Sequence, residues 1–159
     1  MLLRFSILTL PLIAILSAAS LAIAQAPSPP EFVSASVIAA EQLIQPAALG
    51  KLLNGQPGAP LIIQVGSRIF FQEAHISGSK YAGPGSQPSG LQLLEKTVDA
   101  TPKDTFIVLY CGCCPWGRCP NVGPAFQRLH QLGYSNVKVL YLANNFGDDW
   151  VRNGFPREH

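Results

Sequence analysis

The sequence predicts an α/β fold: a parallel sheet covered by helices on both faces. Three observations predict it. The apolar runs Leu61-Ile-Ile-Gln-Val65 and Phe106-Ile-Val-Leu-Tyr110 are continuous rather than alternating, the pattern of strands buried on both sides. Stretches of helical period lie between the strand runs, so each crossover can return the chain parallel. The chain has 159 residues, 48% of them hydrophobic, enough for one domain with a proper core.

Residues 1–24 read as a targeting segment. Arg4 supplies a sparse positive start, residues 7–16 an apolar centre, and Ala22-Ile23-Ala24 the small-x-small form read by signal peptidase. Cleavage is expected after Ala24, because a cut after Ala26 would place Pro27 next to the scissile bond. An uncleaved anchor is the rival reading, since apolar character runs on to Ile23; Pro11, Ser17 and Ser20 weaken it. The expected location is extracytoplasmic, in a bacterial periplasm or secreted, with no stable membrane association after cleavage.

Residues 25–40 form a Pro/Ser-led leader and residues 41–159 the domain. Residues 44–53 are a helix with Pro46 in its first turn and Asn54-Gly55 at its end. Residues 61–65 are a strand between Pro60 and Gly66, and residues 68–74 a short helix. Residues 78–90, rich in Gly, Ser and Pro, read as loop. Residues 91–98 are a helix with Leu91, Leu94 and Val98 on one face, and residues 105–110 the second strong strand. Residues 124–132 are a helix closed by Gly133, residues 136–140 a third strand, and residues 148–153 a last helical turn before Gly154. Asp148-Asp149 reads as a charge pair at that turn's start.

Net charge is only +2 and the basic residues are scattered, which argues against a nucleic-acid partner. All four cysteines, Cys111, Cys113, Cys114 and Cys119, fall in one loop that follows the second strand and precedes a helix. Open α/β sheets bind substrates at the carboxyl ends of their strands, and Cys111 sits at such an end. Helix N-terminal amides can lower a thiol's pKa there. A disulfide framework would staple distant segments instead; the longest bridge available here, Cys111 to Cys119, closes a short loop. Cys111-x-x-Cys114 is a redox-type pair, Cys119 is placed to resolve a mixed disulfide or persulfide, and Arg118 is the loop's one charged side chain.

Together these segments resemble a single-domain rhodanese-like sulfurtransferase. The resemblance rests on Leu61-Ile-Ile-Gln-Val65, His75-Ile-Ser-Gly-Ser79, Ile107-Val-Leu-Tyr-Cys111, the run from Leu132 to Val137, and the tail from Trp150 to Pro156. It implies a three-layer sandwich around a parallel sheet and a nucleophile, at Cys111, that carries sulfane sulfur as a persulfide. Three features depart from the family pattern: Gln64 stands where Asp is usual, Asn144-Asn145 replaces a Gly pair, and the cysteine loop is longer with three extra thiols. Asn is expected to keep the turn at 144–145 by tolerating left-handed backbone.

The expected catalytic residues are Cys111, Cys114, Cys119 and Arg118, with Gly112, Cys113, Trp116 and Gly117 forming the substrate cradle. The expected partners are a small sulfur donor, a thiol acceptor and a thioredoxin-like reductant, with no cofactor and no resident metal. Two alternatives stay open: a thiol–disulfide oxidoreductase using Cys111-x-x-Cys114, and non-enzymatic binding of a soft metal such as Cu(I) by the thiol cluster. His75 is expected to bond backbone, and His130 and His159 to be solvated.

Overall fold

The structure, a computed structural model, describes residues 38–55 and 58–159. The expected targeting segment, its expected cleavage after Ala24 and most of the expected leader lie outside the described residues. Within them, the strands are β1 (Leu43–Ile44), β2 (Leu61–Gln64), β3 (His75–Ile76), β4 (Lys80–Tyr81), β5 (Ile107–Tyr110), β6 (Val137–Leu140) and β7 (Arg157–Glu158). The helices are α1 (Pro46–Leu53), α2 (Arg68–Glu73), α3 (Pro88–Val98) and α4 (Val122–Gln131), with a π-helical turn at Gly147–Val151. Five strands make one parallel sheet in the order β1-β6-β5-β2-β4, and β3 pairs antiparallel with β7 outside it. This is the expected parallel α/β sheet, with β5 at its centre.

Strand periodicity sorts β5 and its extension onto two faces. Ile107, Leu109 and Cys111 join one core layer with Leu94 and Val98 of α3 and Ala125, Phe126 and Leu129 of α4. Val108 and Tyr110 join the other with Leu49 of α1, Phe146 and Trp150. The sheet therefore has helices on both sides, as its continuous apolar strands require.

Several boundaries differ from the sequence expectation. Leu43–Ile44 is a short edge strand, and α1 begins only at Pro46, where proline's missing N–H has no intrahelical partner to lose. For the same reason α3 begins at Pro88, three residues earlier than hydrophobic periodicity suggests. The stretch expected to be loop also contains β4, whose pairing with β2 is made by backbone and leaves no side-chain pattern to read. Ile38, before the expected domain start, is buried in the core beneath α3 and α4.

The turn at Asn144-Asn145 does not use left-handed asparagines: among the described residues every positive φ belongs to glycine. The Asp149 carboxylate holds the turn instead, accepting from the N–H groups of Asn144 (2.7 Å) and Asn145 (3.1 Å) and from Asn144 Nδ2 (3.0 Å). Asp148 pairs with Arg152 at 2.7 Å. The two aspartates thus order a loop as well as sitting in a helical first turn.

Candidate active site

The chain leaves the sheet at Cys111 and turns at once on Gly112. That residue has φ +84°, and a Cβ there would lie 3.1 Å from Phe146 Cβ, so both backbone and space call for glycine. The Gly112 carbonyl accepts from the N–H of Phe146 at 3.0 Å, which ties the loop to the segment before the π-helical turn. Beneath it, buried Gln64 clamps the strand end. Its Nε2 donates to the Cys111 carbonyl at 3.0 Å and its Oε1 accepts from the N–H of Gly66 at 3.1 Å. An aspartate, the usual residue at this position, could accept the second bond but not donate the first.

Three of the thiols form a connected chain. Cys113 Sγ lies 3.1 Å from Cys111 Sγ and 2.9 Å from Cys114 Sγ, while Cys119 shares with Cys111 one core layer and the lining of a narrow cleft. All four are free. Cys111 and Cys119 are buried, at 4% and 5% exposure, while Cys113 and Cys114 are half-buried. Cys113 is thus interposed between the ends of the Cys111-x-x-Cys114 pair, and the buried neighbour of Cys111 is Cys119. Among the described residues no three of His, Cys, Asp and Glu are disposed to hold one metal ion.

The polarity of the site also differs from expectation. The amides of Asn121 and Val122, at the start of α4, act to lower the pKa of Cys119. Cys111 receives the N–H of Cys113 and the Nδ2–H of Asn121, the latter at 3.2 Å. Its pKa is pushed up to about 12, chiefly by the bond with Cys113 and then by burial, while the contact with Cys119 acts the other way. Cys119 is pushed further up by the same contact with Cys111 and by burial. A thiol that donates to a neighbour stays protonated, so within the Cys111–Cys119 couple Cys111 is the first to ionise.

Two hollows reach Cys111. The larger, about 470 Å³, is lined by Cys111, Gly112 and Cys113 at its base, by Tyr110 and Phe146 on its walls, and by Arg157 and His159 from the tail. A narrow cleft on the other side is lined by Cys111, Gly112, Cys114, Trp116 and Cys119. Gly112 and Cys113 therefore border the larger hollow. Trp116 is half-buried with its ring 5.5 Å from Tyr141, and closes the narrow cleft. Gly117 and Arg118 are exposed and line neither hollow, so the structure does not bring the Arg118 guanidinium to the thiols. His75 bonds the Phe71 carbonyl at 2.9 Å, a structural contact; exposed His159 borders the larger hollow.

Sequence reasoning did not single out Asn121, and read Gln64 only as a departure. Their shared signal is burial of an amide side chain, and strand period or cap preference alone does not report it.

Similarity to known structures follows the same outline. The rhodanese-like domain of the Alr3790 protein from Anabaena sp. matches with a TM-score of 0.54 at 20% identity, covering 74% of this chain and 78% of that one. The fold is rhodanese-like. The BH2092 protein from Bacillus halodurans superposes on this rhodanese-like domain with a TM-score of 0.55 at 23% identity, covering 72% of this chain and 74% of that one. A variant of EanB in complex with hercynine matches at 25% identity and a TM-score of 0.51, over 74% of this chain but only 27% of EanB. No family model and no curated protein matches the sequence.

Proposed function

We propose that this protein is an exported rhodanese-like sulfurtransferase that carries sulfane sulfur on Cys111. One observation carries the reading: Cys111 directly follows the central strand and lines a hollow of about 470 Å³, with the Asn121 amide donating to its sulfur and a second buried thiol, Cys119, in the same core layer. The rhodanese-like fold supports it, and residues 1–24 support export.

In the first step the Cys111 thiolate attacks the outer sulfur of a sulfane donor. The donor's S–S bond breaks, its remainder leaves with the electron pair, and a Cys111 persulfide remains. An acceptor thiolate entering the hollow then takes the outer sulfur and returns Cys111 as thiolate. Cys119 opens a second exit. Its thiolate attacks the inner sulfur, a Cys111–Cys119 disulfide forms, and the outer sulfur leaves as hydrosulfide. A thioredoxin-like dithiol restores both thiols by exchange, supplying two electrons and becoming a disulfide itself.

The contact between Cys111 and Cys119 also favours a second reading, a thiol–disulfide oxidoreductase, in which that bridge forms with no sulfur carried. Intact mass of the mature protein after exposure to thiosulfate or polysulfide separates the two. Sulfur transfer adds one sulfur atom, lost in Cys111→Ser and kept in Cys119→Ser, which also releases less sulfide. A wild-type protein that gains no sulfur, or a gain that survives Cys111→Ser, rejects the sulfurtransferase. Stoichiometric Cu(I) uptake lost on removal of any two thiols would replace it with metal binding.

A further inference from the structure

Asn121 occupies the N-cap of α4 but does not cap it, since its side chain bonds none of the helix's amides. An N-cap asparagine ordinarily accepts from the second or third helical N–H. Here the side-chain oxygen faces the loop before α3, where it accepts from the Ser86 N–H at 3.2 Å and from the Ser86 hydroxyl at 2.8 Å. The Ser86 backbone N–H can only donate, so the atom it meets is the amide oxygen, which fixes which way the amide points. The Nδ2 group is left facing the sheet, 3.2 Å from Cys111 Sγ. Burial holds the arrangement, as Asn121 is only 6% exposed. Close packing holds it too: a Cβ on Gly85 would come 2.2 Å from the Asn121 carbonyl oxygen, so the Ser86 loop lies directly on the start of α4.

Building on the Cys111 reading above, we infer that Asn121, held by Ser86, is a dedicated hydrogen-bond donor to the reacting sulfur of Cys111. A prefixed N–H favours the ionised sulfur over the thiol and needs no rearrangement when charge develops. It does so in a pocket otherwise hostile to charge. The titratable groups around Cys111 are Cys113 and Cys119, with Tyr110 beside it on β5, Cys114 in the narrow cleft, and Glu73, Arg157 and His159 lining the larger hollow.

Alkylation of Cys111 by iodoacetamide, assigned to the residue by fragmentation mass spectrometry, tests this without any sulfur donor. Asn121→Ala is expected to slow alkylation about tenfold at fixed pH, and to displace the rate–pH curve upward by about one pH unit, the scale of one hydrogen bond to a charged group. Asn121→Asp, which places a carboxylate oxygen against the sulfur, is expected to be slower still. A packing role predicts the opposite for Asn121→Ala, because a loosened pocket admits the reagent faster. Ser86→Ala frees the amide to turn and is expected to slow alkylation less than Asn121→Ala, and it decides the matter if the Asn121 variants do not fold. Folded variants that react as fast as wild type, or faster, overturn the inference. Failure of wild type to take up sulfur would overturn the proposed function and leave this result standing.

Discussion

The two faces of the sheet are built from the same strand and do opposite things. On one, Tyr110 lies against aromatic residues: its ring is 5.7 Å from that of Phe146, whose ring in turn stacks 6.3 Å from that of Trp150. Each buried polar tip there has a backbone partner. Tyr110 Oη accepts from the Ile76 N–H at 3.1 Å, and Trp150 Nε1 donates to the Pro156 carbonyl at 3.0 Å. On the other face the sulfur of the next residue along, Cys111, has thiols and the Asn121 amide as its polar neighbours. The first face ties the tail and β3 to the sheet; the second buries the Cys111 sulfur. A one-residue step along an extended chain is enough to separate frame from chemistry, because successive side chains point to opposite sides.

The sharpest way to break this division is Trp150→Ala. Trp150 is fully buried, so its loss should cost about 3–5 kcal/mol in denaturant unfolding, while folded protein at low temperature still alkylates at Cys111. Loss of thiol reactivity in variant that is still folded would show that the faces are not separable. Gly66→Ala attacks from the other side. A Cβ there would stand 2.7 Å from the Cys111 carbonyl oxygen and 3.0 Å from its sulfur, so about 1–3 kcal/mol of stability and most sulfur uptake should go together. Uptake unchanged in that variant would mean that the position of Cys111 is not critical.

Alkaline pH is the mildest probe, and it reads both faces at once. Burial raises Tyr110 to about 12, and Cys111 is raised to about 12 chiefly by its bond with Cys113. Raised values mean that the folded protein holds these protons more tightly than the unfolded chain does. Their stabilisation is therefore complete below the ordinary thiol value of 9.0 and is lost as pH climbs towards about 12, with Cys119 acting in the same direction. Melting temperature should fall over that window, and Cys111→Ser and Tyr110→Phe should each flatten the fall. Equal slopes in wild type and Cys111→Ser would contradict the raised pKa of that thiol.

The sequence by itself determined the sheet and the place of the thiols. A continuous apolar run such as residues 106–110 can be satisfied only by cover on both sides, and the chain carries Cys111 directly off its end. Proline positions and short backbone pairings shifted the edges of α1, α3 and β4, since neither leaves an apolar period to read. Tertiary structure alone decided which groups meet. It buried Cys119 in the same core layer as Cys111, left Arg118 out of both hollows that reach Cys111, and brought Ser86 and Asn121 together from 35 positions apart. Spacing along a loop does not fix direction in space, and a buried amide finds its partner only once two crossovers have folded back onto the same sheet.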